Sequence, residues 1–166
     1  PDETSVYAVK TADFLRLPAA AFQLRERRIW NLNEAGVVRV MVHEAGKLRA
    51  LVRQGTNSRS LAPGSQGMIN SHAVEEAVHR LAGLYAINWV ALGDQNLARF
   101  GFTTDSLRVT LEVNSGDELT VQFGGTAPSQ VTYAATLLEG QVWIFECPPA
   151  VSELARACLS IPADVP

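Results

Sequence analysis

Histidines are the first side chains to weigh for chemistry, because imidazole titrates near neutral pH and is the commonest metal ligand. His72 and His79 fall on one expected helix, but seven residues correspond to about 10 Å of helical rise, too far to share one ion. Glu75 and His79, one turn apart, would supply two ligands where a zinc site needs three or four, and His43 sits on a separate expected strand. A solvated helix face accounts for these residues, and no metal or cofactor is expected. Gly64-Ser65-Gln66-Gly67 lacks the spacing of a nucleophile elbow and reads as a tight loop. Phe123-Gly124-Gly125-Thr126 could turn backbone amides toward an anion, yet no lysine and helix follow as in a P-loop, so a turn or bulge is expected. With no triad, carboxylate pair or complete ligand set, no enzyme activity is expected.

The polar group that stands out is Arg25, Arg27 and Arg28. Guanidinium groups grip carboxylates and phosphates in a forked geometry, which makes these three the candidate anion-binding or partner-docking residues. The competing reading has them pairing with nearby carboxylates such as Glu26 and joining one structural unit to the next. Trp30, Trp89 and Trp143 could form a sugar or base platform, but they are dispersed among strand-like apolar runs, which favours a core or junction role. Cys147 ends an expected strand, and Cys158 lies on the apolar side of an expected helix, where a free thiol behaves as a small hydrophobe.

The elements that must position these groups follow from periodicity. Val37–His43 alternates with the two-residue strand period and turns back through Glu44-Ala45-Gly46 into Lys47–Arg53, a hairpin pattern. A loop from Gly55 to Gly67 contains a short extended piece at Ser60–Leu61. From an N-cap at Ser71, Val74, Ala77, Val78, Leu81, Leu84 and Tyr85 recur at three- and four-residue spacing. That pattern predicts a helix whose Val74, Val78, Leu81 and Tyr85 face lies on a sheet, with His72 and His79 exposed. Asn88–Leu92 reads as extended and Asp94–Arg99 as a helical turn. Leu107–Val113, Leu119–Phe123, Val131–Leu138 and Val142–Phe145 read as strands, and Pro148-Pro149 opens a last helix. Successive hairpins imply an α+β fold with a largely antiparallel sheet, one main amphipathic helix and a C-terminal helix. Before these elements, Val6–Val9 reads as a strand and Ala12–Leu24 as a weak helix broken at Pro18.

Near-repetition suggests how the chain is divided. Ser5-Val6-Tyr7-Ala8-Val9-Lys10 returns as Gln141-Val142-Trp143-Ile144-Phe145-Glu146, each followed by a turn and a helix-like stretch. Self-similarity of this kind marks tandem architecture. Residues 1–24 are accordingly expected to be the tail of a preceding unit, 25–162 one complete unit and 163–166 a terminal tail, with adjacent copies of the unit as partners.

Charge narrows the function classes. The net charge of −3 and a charged share of 19% argue against a general nucleic-acid binder and suggest a face covered by a neighbour. The charges are unevenly placed: residues 1–59 carry ten Lys and Arg against six acids, and residues 60–166 four against eleven. Such a split could steer one end toward an anion or an acidic partner. The longest nearly apolar stretch, Leu81 to Leu92, is short of the roughly 20 residues that span a bilayer, so direct membrane insertion by these residues is not expected.

Several short motifs, taken in order, resemble a known family. Leu24-Arg25-Glu26-Arg27-Arg28 before a strand, Leu51-Val52-Arg53, Leu61-Ala62-Pro63, the helix Val74–Leu84, Phe100-Gly101-Phe102, Phe123-Gly124-Gly125, Tyr133-Ala134 and Val142-Trp143-Ile144-Phe145 together resemble the bacterial domain of unknown function family 4340. The resemblance covers about residues 20–162. It implies a repeat-bearing unit in the periplasm or cell envelope, tethered through an N-terminal membrane segment and working with ABC-type export or gliding-related transport components. It brings no catalytic residues. The chain departs from the family at Arg59, where a tryptophan is usual, and a guanidinium cannot take the place of a buried indole without a partner. The function expected is a non-catalytic interaction or accessory module, with a small-ligand or glycan-binding domain as the alternative and a hydrolase further behind.

Overall fold

A computed structural model describes residues 8–14, 18, 20–56, 58–65 and 67–161. Eight strands form one fully antiparallel sheet: β1 (Val37–Glu44), β2 (Lys47–Gln54), β3 (Ser58–Leu61), β4 (Asn88–Leu92), β5 (Arg108–Val113), β6 (Glu118–Thr126), β7 (Thr132–Leu138) and β8 (Gln141–Glu146), in the spatial order β3-β2-β1-β5-β6-β7-β8-β4. Two meanders meet where β1 pairs with β5. The helices are α1 (Thr11–Phe14), α2 (Ser71–Ala82) and α3 (Pro149–Leu154), the last continuing as a π-helical turn over Ala155–Leu159. The expected α+β class and antiparallel sheet are therefore observed.

Local chemistry explains the turns. Ala45-Gly46 and Glu139-Gly140 hold both central residues at positive φ, which matches the twist of the strands they join, as tight two-residue hairpins require. Helix α2 is capped by Asn70 rather than by Ser71, which is its first residue: the Asn70 side chain accepts a hydrogen bond from the Ala73 amide at 3.2 Å, an N-cap that satisfies one of the helix's orphan donors. Gly83 ends it, and that ending corrects one expectation. Once the helical period is lost, Leu84 turns into the core while Tyr85 faces outward, 50% exposed, bridging to Arg28. His72 and His79 are exposed, as the periodicity requires.

The core lies between one face of the sheet and the helical layer. Val40, Val42, Leu51, Val109, Leu111, Val121, Phe123, Trp143 and Phe145 meet Val74, Val78 and Leu81 of α2 and Val151, Ala155 and Leu159 of the C-terminal helix. A smaller cluster, Phe102, Ala135 and Ile144 with Leu97, Phe100 and Tyr133, sits on the opposite face toward β8. Cys147 and Cys158 are free thiols, the first buried. Burial pushes the Cys147 thiol up to about 12, so it serves as a small hydrophobe.

The N-terminal expectations fare less well. The expected helix Ala12–Leu24 is reduced to α1 and a 3-10 turn at Ala21–Leu24, while 15–17 and 19 lie outside the described residues. Of the Ser5–Lys10 hexamer, Ser5, Val6 and Tyr7 lie outside the described residues, and Ala8–Lys10 are exposed and belong to no strand. The other half of the echo is β8.

Two glycines let the 93–102 segment lie backbone to backbone on β6, whose register shifts between Phe123 and Thr126. The expected bulge is thus present. A Cβ at Gly124 would stand 2.7 Å from the Phe100 carbonyl oxygen, and one at Gly101, already at φ +75°, would stand 2.8 Å from the Gly125 nitrogen. Overpacking of this kind costs about 1–3 kcal/mol. Chemical denaturation should therefore show that loss for Gly124→Ala. Gly83→Ala, with open space at its Cβ, should stay within about 0.5 kcal/mol.

Candidate functional site

Arg25 to Gly36 form an extended strap that carries the three candidate arginines along the end of α2. Its backbone is fixed because it supplies donors to the last residue of α2 and to the segment just after it: the Leu32 amide donates to Ala82 O at 2.9 Å, and the Ile29 and Trp30 amides to Leu84 O at 2.8 and 3.0 Å. In return the Ala86 amide donates to Arg27 O at 2.7 Å. Carbonyls at and just beyond the helix end are thereby paired, and the Glu34–His79 pair adds a side-chain tie between strap and α2.

The three arginines do different work. Arg25 donates through both terminal nitrogens to the Glu139 carboxylate, at 2.9 and 2.7 Å, with its guanidinium 4.6 Å above the Trp143 ring. The Trp89 indole donates to Arg25 O at 3.3 Å. Below lie Trp89, Trp143, Phe22 and Phe145, with edge-on ring contacts of 5.1–6.3 Å. Arg25 thus closes an aromatic cluster, and its carboxylate partner comes from the β7–β8 turn rather than from Glu26. Hydrogen bonds from Arg25 hold the Glu139 carboxyl below its usual 4.5. Arg27 and Arg28 are exposed, and among the described residues neither side chain has an ion-pair partner; Glu26 accepts only from the Arg28 backbone amide. The tryptophans take the expected core role, although the Trp30 and Trp143 indole nitrogens are buried without a partner.

Three open depressions border the strap. One is lined by Glu26, Arg28, Ile29, Trp30 and Asn31, a second by Asn31, Leu32, Asn33, Ala35, Gly36, Val113 and Asn114, and a third by Glu34, His72, Glu75, Glu76 and His79. In the third, every carboxylate is engaged: Glu34 with His79 at 2.7 Å, Glu76 with Arg80 at 2.8 Å, and Glu75 with Arg59. His43 is on the far face of β1. Among the described residues no three His, Cys, Asp or Glu side chains converge on a point where a metal could bind.

Spacing alone did not reveal the buried arginines on β2 and β3. Arg59 is buried where the resembled family has an indole; it pairs with Glu75 and donates to Val37 O at 2.8 Å. Burial pulls its pKa below the ordinary value, an effect that Glu75 partly offsets. Arg49 donates to Leu159 O and Ser160 O, and Arg53 to Val37 O, Glu34 O and Thr56 O. The available signal was alternation: Arg49 and Arg53 share the face of Leu51, the core face of the strand. Of the loop Gly64-Ser65-Gln66-Gly67, Ser65 accepts from the Ala50 amide at 3.0 Å, a structural use, and Gln66 lies outside the described residues.

Comparison with protein-family models, curated proteins and solved structures finds no match.

Two outcomes test this geometry. Glu75→Ala leaves the Arg59 cation buried without its partner, which should cost about 3–5 kcal/mol, whereas Arg59→Met with Glu75→Leu should be close to neutral, as apolar replacements of buried pairs often are. Denaturant titration of the single and double variants measures both. The Arg25 clasp should respond to acid. A carboxylate whose folded pKa is depressed contributes stability that is present above its unfolded value and lost as pH falls through the folded one. Trp143 emission should therefore change as pH drops below 4.5, and Glu139→Gln should show the low-pH spectrum throughout.

Proposed function

We propose that this chain is a non-catalytic, extracytoplasmic interaction module of the type resembled by the bacterial domain of unknown function family 4340, working beside copies of the same unit and with components of an ABC-type or gliding-related envelope transport assembly. The carrying observation is the division of labour among the strap arginines. Arg25 is spent on Glu139 and Trp143, while Arg27 and Arg28 stand exposed on a backbone tied to α2. A fixed backbone presenting exposed guanidinium groups suits a carboxylate-bearing protein partner, because little backbone ordering entropy remains to be lost on docking. The non-catalytic reading is supported by the engagement of the groups nearest to chemistry, Glu75, His79 and Ser65, in pairs that hold the fold. The small-ligand alternative draws less support, since the depressions beside the strap are open to solvent. The envelope location rests on the family resemblance.

A photo-crosslinking residue at position 27 or 28 of the full-length protein, expressed in its own cells, tests the proposal. The expected product joins the unit to another copy or to a membrane transport component in the envelope fraction, and Arg27→Glu with Arg28→Glu removes it while the thermal unfolding curve is retained. A protein confined to the cytoplasmic fraction, or crosslinks indifferent to those charges, would contradict it.

A further inference from the structure

The sheet face turned away from the helices carries an ordered pattern that the fold does not use. Strand register places its side chains in three rows. The central row runs Ala50, Met41, Thr110, Thr120, Leu137, Val142 across six strands and contains no charge. One flanking row is Ser60, Val52, Arg39, Glu112, Glu118, and the other begins Leu48, His43, Arg108, Gln122. Beyond Gln122 the second flanking row continues into Ala135 and Ile144, which the 93–102 segment covers. Away from that cover, Leu48 and Leu137 are 58% and 63% exposed.

We propose that this face docks a second copy of the same chain, related to the first by a two-fold axis that lies between the two sheets, parallel to them and along the central row. The occupant follows from charge. Arg39 and Glu112 already pair at 3.5 Å, which leaves the Glu118 end of the face with one surplus negative charge, while Arg108 gives the other end one positive charge. The two ends are separated by four residues of β5, about 13 Å at strand rise. A two-fold axis between them sets Arg108 of each copy against the Glu112 and Glu118 end of the other, and it lays the two uncharged rows over each other. A self-complementary patch of this kind is what an isologous interface needs. Sheets packed face to face sit about 10 Å apart with interdigitated side chains, and the central row mixes Ala50, Thr110 and Thr120 with the larger Met41, Leu137 and Val142, a relief that can interdigitate. Leu48 and Leu137 would be covered on docking.

This deepens the proposed role by naming one partner surface, and it rests on the reading of the chain as an interaction module. Its test uses purified protein alone, so it fails or stands apart from the envelope assignment. Sedimentation over a concentration series at low salt should show reversible dimerisation. Arg108→Glu and Glu118→Arg, both exposed positions, should each weaken it at least 10-fold. An equimolar mixture of the two variants should associate again, because each places its new charge opposite the other's. Glu153→Arg, an exposed position of α3 in the helical layer across the sheet, should leave it unchanged. A monomer across the whole range would overturn the proposal, as would association indifferent to both reversals or single variants that do not complement.

Discussion

Guanidinium groups on the core face of one edge of the sheet, Arg49 and Arg53 on β2 and Arg59 on β3, hold the helical layer in register with the strands. Helix ends and irregular segments leave carbonyls without partners, and such groups must be satisfied wherever water is excluded. Here the donors come from the sheet. Arg49 reaches the carbonyls that end the C-terminal helix, Arg53 reaches the turn before β1 and the loop after β2, and Arg59 joins β1 to α2. Glu44 completes the set by accepting from the Ile161 amide at 2.8 Å. Apolar contacts would hold these layers together without choosing among nearby placements; directional donors choose one. The choice has a cost, visible in the Arg49 and Arg59 Nε atoms, which are buried without acceptors.

The same arrangement explains why one side of the sheet is finished and the other is not. A single 12-residue helix and a C-terminal helix are enough to cover the face that bears Val40, Leu51, Leu111 and Phe123. The strap then closes the space between α2 and β4, where Arg25 lies over the tryptophan pair. On the opposite face the 93–102 segment covers only the β7–β8 end. The regular rows on the rest follow from strand alternation, which places Arg39, Met41 and His43 outward wherever Val40 and Val42 face in.

The strands and the main helix were legible in the sequence because each is local: two-residue alternation, three- and four-residue recurrence, and Gly-containing turns report on their own neighbourhood. Tyr85 misled because periodicity continues past the point where Gly83 stops the helix. Ala12–Leu24 reads as a weak helix broken at Pro18, and its described residues hold helix only in α1 and the 3-10 turn at Ala21–Leu24. Long-range polar pairing left almost no local trace. Arg25 is adjacent to Glu26 in sequence yet pairs with Glu139, 114 residues away, because the β7–β8 turn delivers that carboxylate to the strap. Arg49 and Arg53 could have been noticed as charges on an apolar face, but which carbonyls they serve depends on where the C-terminal helix ends.

If guanidinium donors rather than apolar contact place the helical layer, removing one of them should loosen a particular segment and leave the rest intact. Native-state amide exchange of Arg49→Met measures this most directly. The expected result is faster exchange over residues 155–161, whose last carbonyls lose their donor, with the protection of β5–β8 unchanged. Protection of 155–161 equal to that of the unaltered protein, or a uniform loss across every strand, would contradict the account.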